Sequence, residues 1–391
     1  MENIAVVFGG RSVEHEVSVI TGMQIIENMD KSKYNPIPLY ITKEGKFLSG
    51  DALKDFSVYK RNDFKDAVEV FFKPNAKDHN LYTVTKEKTG LFSKESKDVK
   101  VFANIDVIFP ALHGTYGEDG CIQGLFELMD IAYVGCGVMS ASVGMDKVTM
   151  KKIFKTEGIP VTEYFYFYKN EWKNKEEIIK RAEELGYSLF VKPANLGSSV
   201  GISKAKDRDS FINAVEIALN YDRKVLVEKA VEDPREINVA VLGYEDDLIA
   251  SECEEPVGWK EFLSYEDKYI SGGKNSKGTG MKNQKKNLPA DLPDNIREEI
   301  QSLAKKSFRA IDAMGDARVD FLLDGDKVYV NEINTLPGSI AFYLWEASGI
   351  KFDELITKLI ELSKVRYEQK SNNIYSYNSD LLKKTTYGAK L

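Results

Sequence analysis

A lysine-led, glycine- and serine-rich segment constrains the fold of this chain more than any other. It runs from Val191 to Gly201 and contains Lys192, Ser198 and Ser199. Apolar residues flank it on both sides, which predicts a loop that joins two strands and does not open a helix. The order of its residues is not that of a P-loop. Its backbone N–H groups, hydroxyls and lysine would still suit phosphate oxygens, and a plain glycine-rich hairpin turn is the alternative.

Length and charge limit the class of protein. The chain has 391 residues, which predicts two or three packed domains. Its net charge of -7 argues against a nucleic-acid partner. No apolar run approaches membrane-spanning length, and residues 4–8 indicate a first buried strand and not a signal peptide. Three widely spaced cysteines predict neither a disulfide framework nor a zinc site, so we expect a cytoplasmic protein without a membrane partner.

The order of patterns along the chain predicts an α/β fold. A strand, a glycine-containing loop and a helix open the chain, as in an open α/β domain. Further strands are expected at residues 37–41 and 106–110. Residues 50–100 are charged and weakly periodic, which indicates a surface insertion. An amphipathic helix is expected at residues 352–362, and the polar residues from 367 onward indicate a mobile tail.

Three oxygen-bearing side chains form a second constellation. Asp320, Glu332 and Asn334 lie on two predicted strands that flank the turn at residues 324–326. Alternation places Glu332 and Asn334 on one face, and the antiparallel return brings Asp320 toward the same end. Two carboxylates and an amide oxygen suit Mg²⁺, which completes its shell with water and phosphates. The alternative is a solvated strand face.

Arg318 lies beside this cluster, and the pattern leads us to expect that it is aimed across the sheet. A guanidinium keeps its charge at all ordinary pH values, so it suits a site where negative charge develops on phosphoryl or acyl oxygens. A structural salt bridge to a nearby acid is the alternative.

Five motifs occur in the order that is typical of one family. They occupy residues 14–18, 113–124, 192–201, 235–237 and 331–338. In this order they resemble the D-alanine:D-alanine ligase family, and the resemblance extends from residue 4 to about residue 362. It implies an α/β protein with the ATP-grasp fold in three domains. These are an N-terminal open α/β substrate-binding domain (1–135), a central small α+β subdomain (136–228) and a C-terminal α+β catalytic domain (229–366), followed by a tail (367–391).

The resemblance also implies a nucleotide site and a metal site. The residues matching those that bind ATP are Lys147, Lys192 and Ser199 near the phosphates, Glu228, Lys229 and Val231 beside adenine, and Glu236 at the ribose. Those matching the ligands of two Mg²⁺ or Mn²⁺ ions are Asp320, Glu332 and Asn334.

Substrate-binding and catalytic residues are implied in the same way. Glu16 matches the residue that holds the ammonium group of the first substrate, and Ser198 links it to Tyr269. Lys268 and Tyr269 match a lid over the site, whereas Arg318 and the Gly338 N–H match groups that stabilise an oxyanion. His113, Ser339 and Tyr343 complete the substrate-binding set.

Taken without the resemblance, several of these residues have simpler explanations. Glu16 lies near a helix start, where a carboxylate complements the helix dipole. His113 follows a strand, where a structural hydrogen bond is the alternative to a functional role. Tyr269 would be a surface aromatic.

The chain departs from the family pattern in three places. Tyr343 stands where many members have a serine that contacts the carboxylate of the second substrate. Either Tyr343 points away and Ser339 or the backbone takes over, or its hydroxyl reaches the carboxylate. Residues 272–280 lengthen the segment after the lid, and the tail has no counterpart.

The resemblance implies that ATP drives the joining of two D-alanines for peptidoglycan precursor synthesis, through an acyl phosphate and a tetrahedral intermediate. The small-molecule partners would be ATP and D-alanine, and the family suggests a homodimer. The alternatives are a ligase of the same mechanism with D-serine or D-lactate as second substrate, and an ATP-binding sensor that does not catalyse.

Overall fold

The structure is a computed structural model that describes residues 1–87, 96–256, 286–380 and 383. Three principal sheets follow one another along the chain, with eight, four and four strands in the described residues. Helices cover them and connect them. None of the helices in these ranges is long and apolar enough to cross a lipid bilayer.

The first sheet forms the N-terminal part. Its strands are β1 (Glu2–Gly9), β2 (Tyr34–Ile41), β3 (Phe47–Ser49), β4 (Val68–Phe72), β5 (Asn80–Glu87), β6 (Ser96–Asn104), β7 (Val107–Pro110) and β8 (Ala132–Tyr133). They lie in the order β6-β5-β4-β3-β2-β1-β7-β8, with parallel pairing from β2 to β8. The buried apolar run of β1 fits a central parallel strand covered on both faces. Helices α1 (His15–Asn28), α2 (Phe56–Arg61) and α3 (Cys121–Met129) accompany this sheet.

The region from residue 50 to 100 differs from the expected surface insertion. Strands β4, β5 and β6 continue the first sheet by antiparallel pairing. Val84 lies opposite Val99, and both side chains are exposed. Apolar residues on the exposed face weaken the apolar/polar alternation by which a half-buried strand is recognised.

The second sheet follows helices α4 (Val138–Met145) and α5 (Lys147–Thr156). Its strands are β9 (Tyr164–Tyr168), β10 (Leu189–Pro193), β11 (Ser203–Ala205) and β12 (Lys224–Lys229), in the order β11-β10-β12-β9. Helices α6 (Lys175–Leu185) and α7 (Arg208–Ala218) pack on it. Because β10 pairs antiparallel with β11, the prediction that the lysine-led loop joins two strands is confirmed.

The third sheet consists of β13 (Arg235–Tyr244), β14 (Asp247–Ala250), β17 (Gly315–Asp324) and β18 (Lys327–Asn334), in the order β14-β13-β17-β18. The short strands β15 (Glu255–Pro256) and β16 (Lys286–Asn287) pair separately, and helix α8 (Asp294–Ala310) covers the sheet. The antiparallel pairing of β17 and β18 confirms the second predicted hairpin.

The C-terminal helices return to the N-terminal part. Helices α9 (Phe342–Ala347) and α10 (Phe352–Ser371) place Trp345, Leu355 and Ile356 in the core beneath β1. Helix α10 extends past residue 367, where the tail was expected to begin. Tyr244 Oη donates a hydrogen bond to Gln369 Oε1 at 2.7 Å, and Lys370 forms an ion pair with Glu127. These contacts with distant parts of the chain hold the last turn of the helix.

Candidate active site

The three sheets meet at the N-terminus of α5 and the loop between β10 and β11. Lys147 Nζ donates to the carbonyl oxygen of Leu196 in that loop at 3.0 Å and lies 3.4 Å from Glu332 Oε2 on β18. Lys192 Nζ, on β10, lies 3.4 Å from Asn331 Oδ1. Two lysines predicted to contact phosphates therefore face the strand that carries the predicted metal ligands.

The three predicted metal ligands share one face of the β17–β18 hairpin. Asp320 lies opposite Glu332, and Asn334 Nδ2 donates to Asp320 Oδ2 at 3.0 Å. No group of three or more His, Cys, Asp or Glu side chains in the described ranges forms a metal site by itself. Two carboxylates and an amide suit Mg²⁺ that takes its remaining ligands from water and phosphate, so the donor set fits the expected ion.

Arg318 lies on the same face as these residues and is not aimed across the sheet. Its Nε and Nη2 donate to the two carboxylate oxygens of Asp320 at 2.6 and 2.8 Å. The expected orientation was wrong because residues two apart on a strand point to the same side. Burial raises the pKa of Asp320 although Arg318 opposes that change. Arg318 therefore forms the salt bridge that was the alternative to a functional role, and it lies beside the three predicted metal ligands.

Glu228 lies at the centre of a buried ionic cluster. Its Oε2 lies 2.5 Å from Lys192 Nζ, its Oε1 lies 2.6 Å from Lys151 Nζ, and Thr162 Oγ1 donates to Oε1 at 3.0 Å. Burial alone would raise the pKa of Glu228, but the two lysines lower it below its ordinary value, so the carboxylate stays charged. Lys151 was not among the predicted site residues, although it lies one helical turn after Lys147.

The other predicted nucleotide residues lie around this cluster. Lys229 Nζ donates to the carbonyl oxygens of Gly186 and Tyr187 at 2.7 and 3.4 Å, so its side chain points to the end of α6. Val231 is half-buried just after β12, and Glu236 is exposed near the start of β13. Ser199 lies in the β10–β11 loop with a φ of 59°.

Glu14, and not Glu16, lies beside Ser198. The side chain of Glu16 is exposed, and its Oε1 accepts a hydrogen bond from Lys43 Nζ at 2.5 Å. Ser198 Oγ donates to Oε1 of Glu14, which is buried. The predicted link between Glu16 and Ser198 was therefore wrong. Positions two apart at a helix start point in different directions, and sequence spacing alone did not decide which carboxylate faces inward.

A second carboxylate accompanies Glu14. Glu118 Oε2 accepts a hydrogen bond from the Gly114 N–H at 2.7 Å. A Cβ at Gly114 would lie 2.8 Å from Glu14 Oε2 and 2.4 Å from Ser12 Oγ, so only glycine lets these groups approach. Burial and the charge of Glu14 raise the pKa of Glu118 to about 8. Two acids in so small a space suit a bound cation.

Neither Glu14 nor Glu118 was among the predicted site residues. Both lie inside motifs that carry the family resemblance, at residues 14–18 and 113–124. The available signal was therefore the motif itself, because no local pattern separates these acids from their neighbours.

His113 connects the N-terminal part to the turn after β18. Its Nδ1 lies 3.0 Å from the Leu336 carbonyl oxygen and its Nε2 lies 2.8 Å from Thr21 Oγ1. The Ser339 N–H donates to the same Thr21 oxygen at 3.1 Å. Burial lowers the pKa of His113 to about 4, so the imidazole is neutral near pH 7. The contacts agree with the structural alternative for this histidine.

A left-handed turn follows β18. Gly338 begins it, and Ser339, Ile340 and Ala341 have φ values of 52°, 47° and 47°. Such values are rare for a β-branched residue, so Ile340 is held by its surroundings. The Ile340 N–H donates to the Pro337 carbonyl oxygen at 2.8 Å, and the side chain is buried in the first core.

Tyr343 follows this turn and has a protein partner. Its hydroxyl donates to Glu254 Oε2 at 2.9 Å, and Lys286 Nζ lies 3.5 Å from the centre of its ring. Burial, together with the charge of Glu254, raises the pKa of Tyr343. These contacts favour the alternative in which the hydroxyl is not free to bind a substrate carboxylate.

The predicted lid residues Lys268 and Tyr269, and the lengthened segment 272–280, lie outside the described residues.

Comparison with known proteins gives consistent matches over nearly the whole chain. A family model described as the D-ala D-ala ligase N-terminus matches residues 3–136, and one described as the D-ala D-ala ligase C-terminus matches residues 153–361. A D-alanine–D-alanine ligase from Caldicellulosiruptor bescii is 44% identical over 381 residues, which covers 95% of this chain and 98% of that relative.

Solved structures agree with these matches. The VanG D-Ala:D-Ser ligase from Enterococcus faecalis has a TM-score of 0.77 at 29% identity, covering 93% of this chain and 99% of that one. A D-alanine–D-alanine ligase from Bacillus anthracis complexed with ATP has a TM-score of 0.66 at 25% identity, covering 95% of this chain and 100% of that one.

Proposed function

This chain belongs to the D-alanine–D-alanine ligase family, and from that membership we propose that it joins two D-alanine molecules in a reaction driven by ATP. The protein is an enzyme with the ATP-grasp fold of its family. One observation supports the proposal most. Two lysines, an oxygen-rich hairpin face and the acidic pocket of Glu14 and Glu118 adjoin one loop between β10 and β11.

In the first step, a carboxylate oxygen of one D-alanine attacks the γ-phosphorus of ATP, which gives an acyl phosphate and ADP. This step is needed because a free carboxylate is a poor electrophile. Lys147 and Lys192 would lie along the phosphates and offset their charge, since both ammonium groups lie at the cleft between the β10–β11 loop and the β17–β18 hairpin. Asp320, Glu332 and Asn334 would hold two divalent cations there, which would offset the charge of the phosphates.

In the second step, the amine of the other D-alanine attacks the acyl carbon, and phosphate leaves from the tetrahedral intermediate. Arg318 would stabilise the oxyanion of that intermediate together with the Gly338 N–H. Arg318 lies near the start of β17, opposite Asn334 at the end of β18, and Gly338 follows shortly after that end.

The first D-alanine must be held by its ammonium group if its carboxylate is to face ATP. We assign this contact to Glu14 and not to Glu16, because Glu14 is buried beside Ser198 and Glu118. Ser198 would orient Glu14. Adenine would lie beside Glu228 and Val231 and the ribose beside Glu236, and Lys229 would contribute its backbone because its side chain is bound to α6.

Separate substitutions of Glu14 and Glu16 test this assignment. We expect Glu14→Gln to raise the KM for the first D-alanine about tenfold to a hundredfold, since a charge-assisted hydrogen bond in a buried site is lost. Glu16→Gln is the matched control and should leave both KM and kcat unchanged, because its side chain is exposed and paired with Lys43. Steady-state kinetics with varied D-alanine decide the matter. A larger effect from Glu16→Gln would overturn the assignment.

Tyr343→Phe tests the second-substrate site. We expect an unchanged KM for the second D-alanine, because the hydroxyl donates to Glu254. The variant should lower the free energy of unfolding by about 1 kcal/mol, since the buried Glu254 Oε2 loses one of its two hydrogen bonds and keeps the one from Asn238. Chemical denaturation measures the second effect. A higher KM with normal stability would mean that the hydroxyl binds substrate.

Phosphate release from ATP tests the proposed function itself. Release should require D-alanine, and D-alanyl-D-alanine should appear in equal amount. D-serine and D-lactate are offered in competition as second substrates, and a preference for either one would change the assigned product. Release that does not depend on any D-amino acid would contradict the ligase assignment.

Three further properties are part of the proposal. We propose domains at residues 1–135, 136–228 and 229–366, with the start of the tail moved beyond the end of α10 at Ser371. We also propose a homodimer in the cytoplasm whose partners are small molecules. The product would serve peptidoglycan precursor synthesis.

A further inference from the structure

Lys151 is a buried cation to which the proposed mechanism assigns no role. It lies on α5, and its side chain is 1% exposed. Its ammonium group lies 2.6 Å from Glu228 Oε1, and no other carboxylate in the described residues lies within ion-pair distance of it. A lysine enclosed in this way does not reach a ligand in the cleft. Any effect on the nucleotide must therefore act through Glu228.

Glu228 forms ion pairs with two lysines, of which one lies at the cleft and the other is enclosed. Lys192 Nζ lies 2.5 Å from the second carboxylate oxygen and also contacts Asn331 on β18, at the metal-site hairpin. Lys151 contacts the other oxygen of the same carboxylate from helix α5, whereas Lys192 contacts it from β10. The two lysines and one glutamate together thus have a net charge of +1. Of the two lysines, only Lys192 lies at the border of the cleft.

This excess charge has a consequence when phosphates arrive. A phosphate oxygen attracts Lys192, and Lys192 then gives less compensation to Glu228. A buried carboxylate that loses its partner is strongly destabilised. With Lys151 in place, Glu228 keeps a cation at 2.6 Å throughout.

We propose that Lys151 is a positioning residue of the nucleotide site, which neutralises Glu228 and so releases Lys192 to bind phosphate. The inference rests on the proposed function, in that the phosphates are those of ATP. Lys151 touches neither substrate nor nucleotide.

The test compares four variants: K151M, E228Q, K151M/E228Q and K155M. K155M removes a lysine one turn further along α5, where the side chain is exposed, and serves as the matched control. The Kd for ATP is measured by calorimetry without D-alanine, and kcat and the KM for ATP are measured with saturating D-alanine.

We expect K151M to raise the Kd and KM for ATP about tenfold to a hundredfold, the usual effect of removing a partner that orients a ligand-binding group. The kcat should change much less, and K155M should match the wild type. In the E228Q background, K151M should leave the Kd unchanged, because the charge that Lys151 neutralises is absent.

Two results would overturn the proposal. One is an unchanged Kd for ATP with only a lower Tm, which is the behaviour of a purely structural ion pair. The other is an equal loss of affinity in the wild-type and E228Q backgrounds. If K151M does not fold, K151Q is compared in its place, and the double variant, which has no charge at either position, is compared with E228Q alone. A wild type that binds ATP but releases no phosphate with D-alanine would refute the proposed function and leave the Kd test of Lys151 valid.

Discussion

Glu332→Gln is expected to abolish ligation, with a loss in kcat of about a thousandfold or more. Glu332 lies opposite Asp320 and 3.4 Å from Lys147, so its carboxylate faces both the proposed cations and a proposed phosphate ligand. A metal ion contributes several kcal/mol of charge stabilisation to phosphoryl transfer, and each 1.4 kcal/mol or so is a factor of ten in rate. The amide keeps the shape of the side chain and removes the charge that holds the cations.

The measurement is phosphate release at increasing magnesium, together with Mg·ATP affinity. Asp326→Asn is the control, since it removes the same charge from the exposed turn of the same hairpin and should behave as the wild type. Glu332→Gln should bind Mg·ATP more weakly and remain inactive when magnesium is saturating. Near-normal turnover under those conditions would remove Glu332 from the metal site.

Arg318→Ala is expected to slow ligation by about a hundredfold to a thousandfold, the usual loss for one oxyanion donor. ATP affinity should remain largely intact if the guanidinium acts on the tetrahedral intermediate. The bidentate contact with Asp320 adds a second expectation. Loss of the arginine breaks the ion pair of a half-buried carboxylate that keeps only its hydrogen bond from Asn334, so the metal-free protein should also lose about 1–3 kcal/mol of stability.

Arg318→Lys separates these two effects. A lysine keeps the positive charge beside Asp320 but not the planar pair of donors, so stability should be largely restored while kcat stays low. The kcat, the KM for ATP and the denaturation midpoint are measured for both variants. Arg309→Ala, which removes an exposed arginine, is the control. A change confined to the KM would make Arg318 a binding or structural residue.

Local sequence determined the two hairpins that build the site. The lysine-led loop and the turn at residues 324–326 were predicted because alternation and turn residues act over a few positions. The same alternation placed Asp320, Glu332 and Asn334 on one face, and the structure has them there. Residue type also determined the chemistry available at the cleft, since ammonium, carboxylate and amide groups keep their character wherever they lie.

Other features depended on parts of the chain that are distant in sequence. Glu14 and Glu16 are the same residue type two positions apart, and only packing against Gly114 and Ser198 decides which one is buried. Strands β4 to β6 form by pairing with one another. Their exposed valines interrupt the apolar/polar alternation from which a strand is predicted.

The sequence by itself thus determined which groups are present and how neighbouring strands pair, because those properties depend on residue type and short-range geometry. Only the tertiary structure decided the partners of Tyr343 and Lys151. Glu254 lies 89 residues from Tyr343 along the chain, and Glu228, on β12 of the second sheet, comes to Lys151 on helix α5. A side chain's partner in a folded core is set by which elements pack together, and that arrangement minimises the free energy of the whole chain and not of any one segment.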